Sequence, residues 1–314
     1  MSDTNTNGSG GLTQREASDK LAEQFLRSLD IMPKSRETYR KSINRYLDWL
    51  GDKDPITAER DDILDFKDDM MERSSPYTVS CYMTIVRGFY AHLEKEGLAE
   101  NIAVGIKGAA RGHTFSKDAL TVSQAKRVLA MMDRTTAEGK RDYALLNLLL
   151  RTGIRTVEAE RANINDICRR NGDGKEALLR IEGKGRWAKE TSVVLTTKTM
   201  EPLMIYLGER SGATPNEPLF ISFSDRNRGE RLTTRSMSRI AKNALRAAGF
   251  DSSRLTAHSM RHTALTLSLM GENNVPHDVT RRADEEGVPR IPHIQRRFDN
   301  PPERTIDALL DSGE

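Results

Sequence analysis

Basic side chains that can hold a phosphate group occur at three separate places in this 314-residue sequence. His258 and Arg261 are three residues apart at the start of a predicted helix, so they share one helix face. The start of a helix also favours anions. Arg155 follows an apolar segment and a Thr-Gly turn, whereas Lys184 lies between two glycines. Each residue taken alone has an ordinary structural interpretation: a salt-bridge arginine, a hydrogen-bonded histidine and a surface lysine in a turn.

The elements that must position these groups can be predicted from the hydrophobic pattern. The apolar segment 142–152 predicts a buried helix directly before Arg155. Extended runs at 177–182 and 190–195 flank a basic segment with Lys184 and Arg186, which predicts a β-hairpin with a basic tip. Four further helices are expected in this part of the chain: one from Thr121 or Ser123 through Met132, and others over 199–210, 234–248 and 259–270.

The first third of the sequence reads as helical throughout. One helix is expected to start near Ser35 as its N-cap and to end at Gly51. A second is expected over 57–71, and a third begins near Ser75 and Pro76, because proline is accepted in a first turn. Aromatic residues recur on these helices with the spacing typical of a core, which we favour over a surface that stacks on DNA bases.

Five basic residues cluster on the first of these predicted helices. We predict that they bind DNA, although a solvated helix face is the open alternative. The five are Lys34, Arg36, Arg40, Lys41 and Arg45. A net charge of +3 does not by itself indicate a nucleic-acid partner.

Composition argues against several classes of protein. Hydrophobic residues make up 37% and charged residues 30%, which is typical of a soluble, helix-rich chain with modest cores. No apolar run approaches the roughly 20 residues that span a bilayer, and the first residues lack the apolar region of a signal peptide. Cys81 and Cys168 are far apart and fit a reduced cytosolic setting. Neither has a Cys-x-x-Cys partner, which argues against a zinc site. No other cluster of metal ligands is apparent in the sequence, and we predict no metal and no cofactor.

Three sequence motifs resemble those of the tyrosine recombinase, or phage integrase, family, and they occur in the family's order. RTGIRTVEAERANINDI (151–167) resembles its first-arginine box, and IEGKGRWAKETSVVL (181–195) resembles its lysine hairpin. TAHSMRHTALTL (256–267) is similar to its His-x-x-Arg box, and SRETYRKSINRYLDWL (35–50) to the start of its core-binding domain. The resemblance covers roughly residues 15–310.

The resemblance implies a mainly α fold with a small β-sheet. An N-terminal all-α, SAM-like core-binding domain would precede a C-terminal α+β catalytic domain. We expect a flexible tail over 1–14, the core-binding domain over 15–107, a linker over 108–118, the catalytic domain over 119–300 and a terminal segment over 301–314. Residues 303–310 can form a short amphipathic helix that docks either on a neighbouring protomer or on its own domain.

The family's chemistry assigns a role to each basic residue. A tyrosine attacks a DNA phosphodiester and forms a 3′-phosphotyrosyl bond, whose energy is retained for rejoining. The resemblance places Arg155 and Arg261 on the charged non-bridging oxygens and makes Lys184 the general acid for the leaving 5′-oxygen. His258 would assist proton transfer or bind phosphate, and Glu158 would orient Arg155.

Two departures from the family stand out. The family has a second His or Trp shortly before its tyrosine, but Pro289 stands at that place and His293 is the nearest substitute. The tyrosine position itself falls on Phe298 in the segment HIQRRFDNP, and all seven tyrosines precede the His-x-x-Arg motif. A phenylalanine has no oxygen to attack phosphorus. Phe298 is alternatively an ordinary apolar anchor.

We therefore expect a site-specific recombinase of a mobile element, blocked at its nucleophile, that forms a two-domain clamp on duplex DNA. Its partners would be an inverted-repeat DNA site and further copies of itself, four in total, in the nucleoid-associated cytoplasm. One alternative is a non-catalytic DNA-binding regulator or architectural protein with the same fold. A second is a type IB topoisomerase, which acts as a monomer.

Overall fold

The protein is described by a computed structural model that covers residues 13–110, 118–169, 176–182, 189, 191–270 and 301–312. The chain separates into two compact units, Met1–Thr114 and Phe115–Glu314. The fold is mainly helical with one small sheet, which confirms the predicted fold class. No helix in the described ranges is long and apolar enough to cross a membrane.

The first unit contains four helices: α1 (Gln14–Ser28), α2 (Pro33–Leu50), α3 (Arg60–Arg73) and α4 (Pro76–Lys95). The predicted start of α2 at Ser35 is wrong, because Pro33 already occupies the first turn, where its fixed φ suits a helix and its missing N–H is not needed. α3 also starts later than residue 57, because Glu59 and Asp62 form a capping box there. Ser75 caps α4 as expected.

The core of the first unit is built from aromatic rings on three of these helices. Tyr46, Phe66, Phe89 and Tyr90 are buried, and their rings meet edge to face. The hydroxyl groups of Tyr46 and Tyr90 share a hydrogen bond of 2.9 Å, which satisfies both polar atoms inside the core. The aromatic stripes are therefore core, as predicted.

The second unit has seven helices, one 3₁₀ turn and three strands within the described residues. In chain order they are α5 (Val122–Ala130), α6 (Ala137–Thr152), α7 (Thr156–Arg161), the 3₁₀ turn Ile164–Asp166, β1 (Ile167–Arg169), β2 (Ala177–Ile181), β3 (Thr191–Leu195), α8 (Thr197–Gly208), α9 (Thr234–Ala247), α10 (Ala257–Met270) and α11 (Pro302–Asp311).

The three strands form an antiparallel sheet in the order β1-β2-β3. The predicted hairpin is present as β2 and β3, paired from Ala177 opposite Leu195 to Ile181 opposite Thr191. β1 was not predicted, because three residues are too few to show an alternating pattern.

Helix α6 forms the centre of the second unit. Its leucines are buried on all sides, with α8 and α10 packed against it, which explains why the segment is apolar without a polar face. The helix begins at Ala137, earlier than residue 142, because the Thr136 hydroxyl accepts a hydrogen bond of 3.0 Å from the N–H of Gly139.

The terminal helix α11 packs on its own unit. Ile306 and Leu310 are buried against α5, α6 and α10. Docking on a neighbouring protomer, the other predicted arrangement, stays a prediction.

Candidate active site

The left-handed turn at the end of α6 brings α10 close to it. Gly153 has a φ of +66°, and its N–H donates to the carbonyl of Leu149 at 3.0 Å. A Cβ on Gly153 would lie 3.2 Å from Cβ of Ala264 on α10, so glycine suits both the turn and the close approach. Arg261, also on α10, donates an Nη1–H bond to the Gly153 carbonyl. The helix end thereby holds the guanidinium of Arg261 at one place.

Arg155 lies two residues beyond this turn and is held by Glu158. Its backbone N–H donates to Oε2 of Glu158 at 2.6 Å, and its Nη1 donates to Oε1 at 2.8 Å. Only 3% of the Glu158 side chain is exposed, against 41% of the Arg155 side chain. The buried carboxylate thus fixes an arginine that remains accessible to a ligand. This is the contact that the orienting role of Glu158 requires.

The two guanidiniums influence each other. Burial lowers the pKa of Arg261, the positive charge of Arg155 lowers this pKa further, and Glu158 opposes the shift. Arginine side chains are effectively always protonated in proteins, so the site presents two positive groups. Among the described residues, these two guanidiniums and the carboxylate of Glu158 form a net positive group, which suits the paired oxygens of a phosphate.

His258 is exposed in the first turn of α10, three residues before Arg261 on the same helix. Its ring lies 4.8 Å from the ring of His262, centroid to centroid, at 89°. His262 was not singled out from the sequence, although its spacing of four residues from His258 predicts a shared helix face.

The remaining predicted catalytic residues lie outside the described part of the chain. Lys184 and Arg186 fall within the segment 183–188, and His293 and Phe298 fall within 271–300. The residues that flank the first segment are described. Glu182 accepts a hydrogen bond from Arg161 at 2.7 Å, and Lys189 donates to Asp166.

The five basic residues predicted to bind DNA all lie on α2. Arg40 pairs with Glu23 at 2.7 Å and Lys41 with Glu37 at 2.8 Å, while Arg36 donates to a backbone carbonyl. Lys34 and Arg45 are exposed. Solvent-exposed pairs of this kind are weak and can exchange for a phosphate at little cost. DNA binding by these residues remains a prediction.

Comparisons with known proteins agree with this geometry. The phage integrase family profile matches residues 118–281, and the profile of its N-terminal SAM-like domain matches residues 20–100. A tyrosine recombinase of Synechococcus elongatus is 25% identical over 250 residues, which is 76% of each chain.

Two solved structures share the fold. One is a post-cleavage complex of the XerH site-specific recombinase with a palindromic difH substrate, with a TM-score of 0.63 and 17% identity over 81% of this chain and 75% of that chain. The other is a lambda integrase tetramer bound to a Holliday junction, with a TM-score of 0.63 and 15% identity over 86% of this chain and 80% of that chain. The family profile alone covers more than half of the sequence and contains Arg155, Glu158, His258 and Arg261. This chain belongs to the phage integrase family.

Proposed function

We propose that this chain is a site-specific DNA recombinase that cuts and rejoins duplex DNA, and that Phe298 blocks its cleavage step. One observation carries the proposal. Arg261 donates to the carbonyl of Gly153, two residues before Arg155, and Arg155 is itself held by the buried carboxylate of Glu158. Two guanidiniums anchored this close together can bind the non-bridging oxygens of one phosphate with forked hydrogen bonds.

Each residue has a distinct task in the proposed reaction. Arg155 and Arg261 hold the non-bridging oxygens and stabilise the charge that develops in the transition state. Glu158 orients Arg155. His258 binds the phosphate or assists proton transfer, and Lys184 donates the proton to the leaving 5′-oxygen. The bond energy is kept in a phosphotyrosyl link, so the reaction needs no cofactor or nucleotide.

Phe298 stands where the family has its nucleophilic tyrosine. A benzene ring carries no oxygen, and the sequence has no tyrosine after Tyr206. We therefore propose that the chain binds its site but forms no covalent bond to it. His293 is the proposed substitute for the second His or Trp of the family.

The proposed partners are duplex DNA with inverted repeats and three further copies of this chain. The XerH structure was solved on a palindromic substrate and the lambda integrase structure as a tetramer, which supports this reading. We propose a core-binding domain over 15–107 and a catalytic domain over 119–300, with both contacting the DNA. Such a protein would act at the nucleoid in the cytoplasm.

A second candidate function is that of a DNA-binding regulator without catalysis. Phe298 favours it, because loss of the nucleophile abolishes cleavage and leaves binding. The retention of Arg155, Lys184, His258 and Arg261 favours the recombinase.

DNA binding itself is tested by fluorescence anisotropy at several salt concentrations. We expect specific duplex binding that weakens steeply with salt, because each phosphate contact releases condensed counterions. The candidate sites are inverted repeats selected from random duplexes. An affinity that is independent of salt, or equal for all duplexes after selection, would contradict the proposed function.

A further inference from the structure

We infer that Arg231 is a positioning residue for DNA cleavage, which holds Arg155 in place through the short helix α7. The inference rests on the proposed function, because Arg155 is one of the two arginines proposed to bind the scissile phosphate. Arg231 is assigned no contact with the DNA, and its effect on the phosphate site passes through α7 alone.

Helix α7 carries the phosphate site at its start but is too short to be stable by itself. It has six residues, and Arg155 is its N-cap. Isolated helices shorter than about 12 to 15 residues are marginal in water. The backbone N–H groups of Glu158 and Ala159 donate to the carbonyl of Arg155 at 2.9 and 3.0 Å. The place of the Glu158 carboxylate beside Arg155 therefore depends on α7 remaining helical.

The last turn of α7 lacks the backbone partner that a longer helix would provide. In a continuous helix the carbonyl of Glu160 would accept the N–H of Ile164, four residues further along. That N–H instead donates to the carbonyl of Glu217 at 3.0 Å. The carbonyl of Glu160 thus needs a donor from elsewhere in the fold.

Arg231 supplies this donor and joins three oxygens at the end of α7. Its Nη1 donates to the carbonyls of Glu160 and Ala162 at 2.6 and 3.1 Å. Its Nη2 donates to Oδ1 of Asn163 at 2.6 Å. The planar fork of a guanidinium suits such a set of oxygens, and a positive charge at the C-terminal end of a helix also stabilises the helix dipole.

The position of Arg231 is itself fixed by the core of the second unit. Its backbone forms an antiparallel bridge with Ile221. The N–H of the next residue, Leu232, donates to the carbonyl of Phe220 at 2.9 Å, and both of these side chains are buried. The guanidinium therefore reaches α7 from a well-packed part of the unit.

A second contact joins the same end of α7 to α9. Oε1 of Glu160 accepts the N–H of Thr234, the first residue of α9, at 3.2 Å. Glu160 is thus held through its carbonyl by Arg231 and through its side chain by α9. Because α7 is only about 9 Å long, loosening this end also loosens the turn that contains Glu158 and begins at Arg155.

Two substitutions of Arg231 and one matched control test the inference. Arg231→Met keeps an unbranched apolar stem and removes every donor, whereas Arg231→Lys keeps the charge and loses the fork. The control is Arg210→Met. Arg210 also uses Nη1 for two carbonyls, those of Pro218 and Leu219 at 2.8 and 3.1 Å, and Nη2 for the carboxylate of Glu217 at 2.8 Å. These three partners lie outside α7.

The first measurement needs no activity. Amide hydrogen exchange of the unaltered chain and of the three variants reports how often α7 opens at Glu158 and Ala159. We expect exchange at these two amides to be several-fold faster in Arg231→Met, less accelerated in Arg231→Lys, and unchanged in Arg210→Met. Exchange in Arg231→Met at the rate of the unaltered chain, or equal acceleration in Arg210→Met, would overturn the inference.

The second measurement separates positioning of Arg155 from a general loss of folded protein. Each variant is placed in the Phe298→Tyr background, and single-turnover cleavage is compared with the Kd for the same site. We expect Arg231→Met to slow cleavage on the order of tenfold, because the phosphate arginine is misplaced. The Kd should stay within about twofold of the parent value, since many other phosphate contacts hold the DNA.

A loss of folded protein would weaken DNA binding and cleavage together. Cleavage by Arg231→Met at the parent rate, or slowing matched by an equal loss of binding, would overturn the inference. If the Phe298→Tyr parent does not cleave the site, the proposed function fails. Amide exchange at Glu158 and Ala159 then decides whether Arg231 holds α7.

Discussion

Two arginine clusters at the same end of α6 carry opposite balances of charge. Arg151, in the last turn of the helix, has a side chain that is only 6% exposed. It donates to Asp307 at 2.5 Å and to Asp311 at 2.9 Å, so two carboxylates surround one guanidinium. Immediately beyond, Arg155 pairs with Glu158 and Arg261 donates to the carbonyl of Gly153, so among the described residues one carboxylate serves these two guanidiniums.

The pKa values of the two clusters move in opposite directions. Burial lowers the pKa of Arg151, but hydrogen bonds to Asp311 and Asp307 outweigh it, so this pKa is raised. The pKa of Arg261 is lowered by burial and by Arg155. A structural arginine is paired with carboxylates of the same protein. An arginine that binds an anionic ligand instead keeps its positive charge available for that ligand. Among the described residues, the carboxylates around each arginine, more than the burial of its side chain, therefore distinguish the structural arginine from the two that can bind a ligand.

The largest effect is expected from substitutions of Arg155 and Arg261. In a Phe298→Tyr background, Arg155→Ala or Arg261→Ala should abolish DNA cleavage, because each removes a charged donor from the transition state. The loss is on the order of 3 kcal/mol or more, which exceeds a hundredfold in rate. Single-turnover cleavage measures it, with circular dichroism to confirm folding.

Arg254→Ala is the control, since Arg254 is an exposed arginine in the same unit. Cleavage by Arg155→Ala or Arg261→Ala within tenfold of the parent rate would show that these two arginines do not stabilise the transition state.

Arg151 and its two aspartates should instead contribute to the free energy of unfolding. Arg151→Met removes the cation that pairs with Asp307 and leaves Asp311 its longer pair with Lys198 at 3.7 Å, so we expect the second unit to lose about 3 kcal/mol of unfolding free energy, the lower end for a buried pair. Urea denaturation measures the loss.

Arg304→Met is a control on the helix that carries the two aspartates, because its pair with Glu176 at 2.9 Å is more exposed and should contribute less than about 1 kcal/mol. Similar losses of unfolding free energy in both variants would show that the burial of these ion pairs does not determine their contribution to stability.

An exposed pair should show the smallest effect and a dependence on pH. Arg254 donates to Asp118 at 2.6 to 2.9 Å, and these hydrogen bonds hold the pKa of Asp118 below its ordinary value. A lowered folded pKa means that the pair stabilises the protein above the ordinary pKa of aspartic acid, and that this is lost as the pH falls through the folded value.

Asp118→Asn should therefore be slightly less stable than the parent near neutral pH and equal to it in strong acid. Thermal melts across this range, with and without high salt, measure the difference. A difference that persists in strong acid would show that charge is not its cause.

Local signals predicted most of the fold. Proline and serine at the start of α4 and the apolar run of α6 marked these helices clearly. The elements that were missed or misplaced also lack clear local signals. α7 has six residues and β1 has three, too few to show a period, and α2 begins at Pro33, where no capping side chain signals the start.

The candidate site could be predicted only in part. His258 and Arg261 are neighbours on one helix, and Arg155 and Glu158 are three residues apart, so their association follows from spacing. The partners of Arg151 are different, because Asp307 and Asp311 are more than 150 residues away along the chain. The tertiary structure is therefore needed to show that Arg151 is paired with two carboxylates. The pair of Asp166 and Lys189 was missed for the same reason, since the two residues are 23 positions apart in the sequence.

We propose that the phosphate site lacks its nucleophile, while the second His or Trp of the family is also absent from its usual place. The most direct test is to incubate the unaltered chain and Phe298→Tyr with a nicked, end-labelled site and to look for a protein–DNA band that resists SDS. We predict such an adduct for Phe298→Tyr and none for the unaltered chain, although both bind the site. No adduct from Phe298→Tyr, or an adduct already formed by the unaltered chain, would contradict the account.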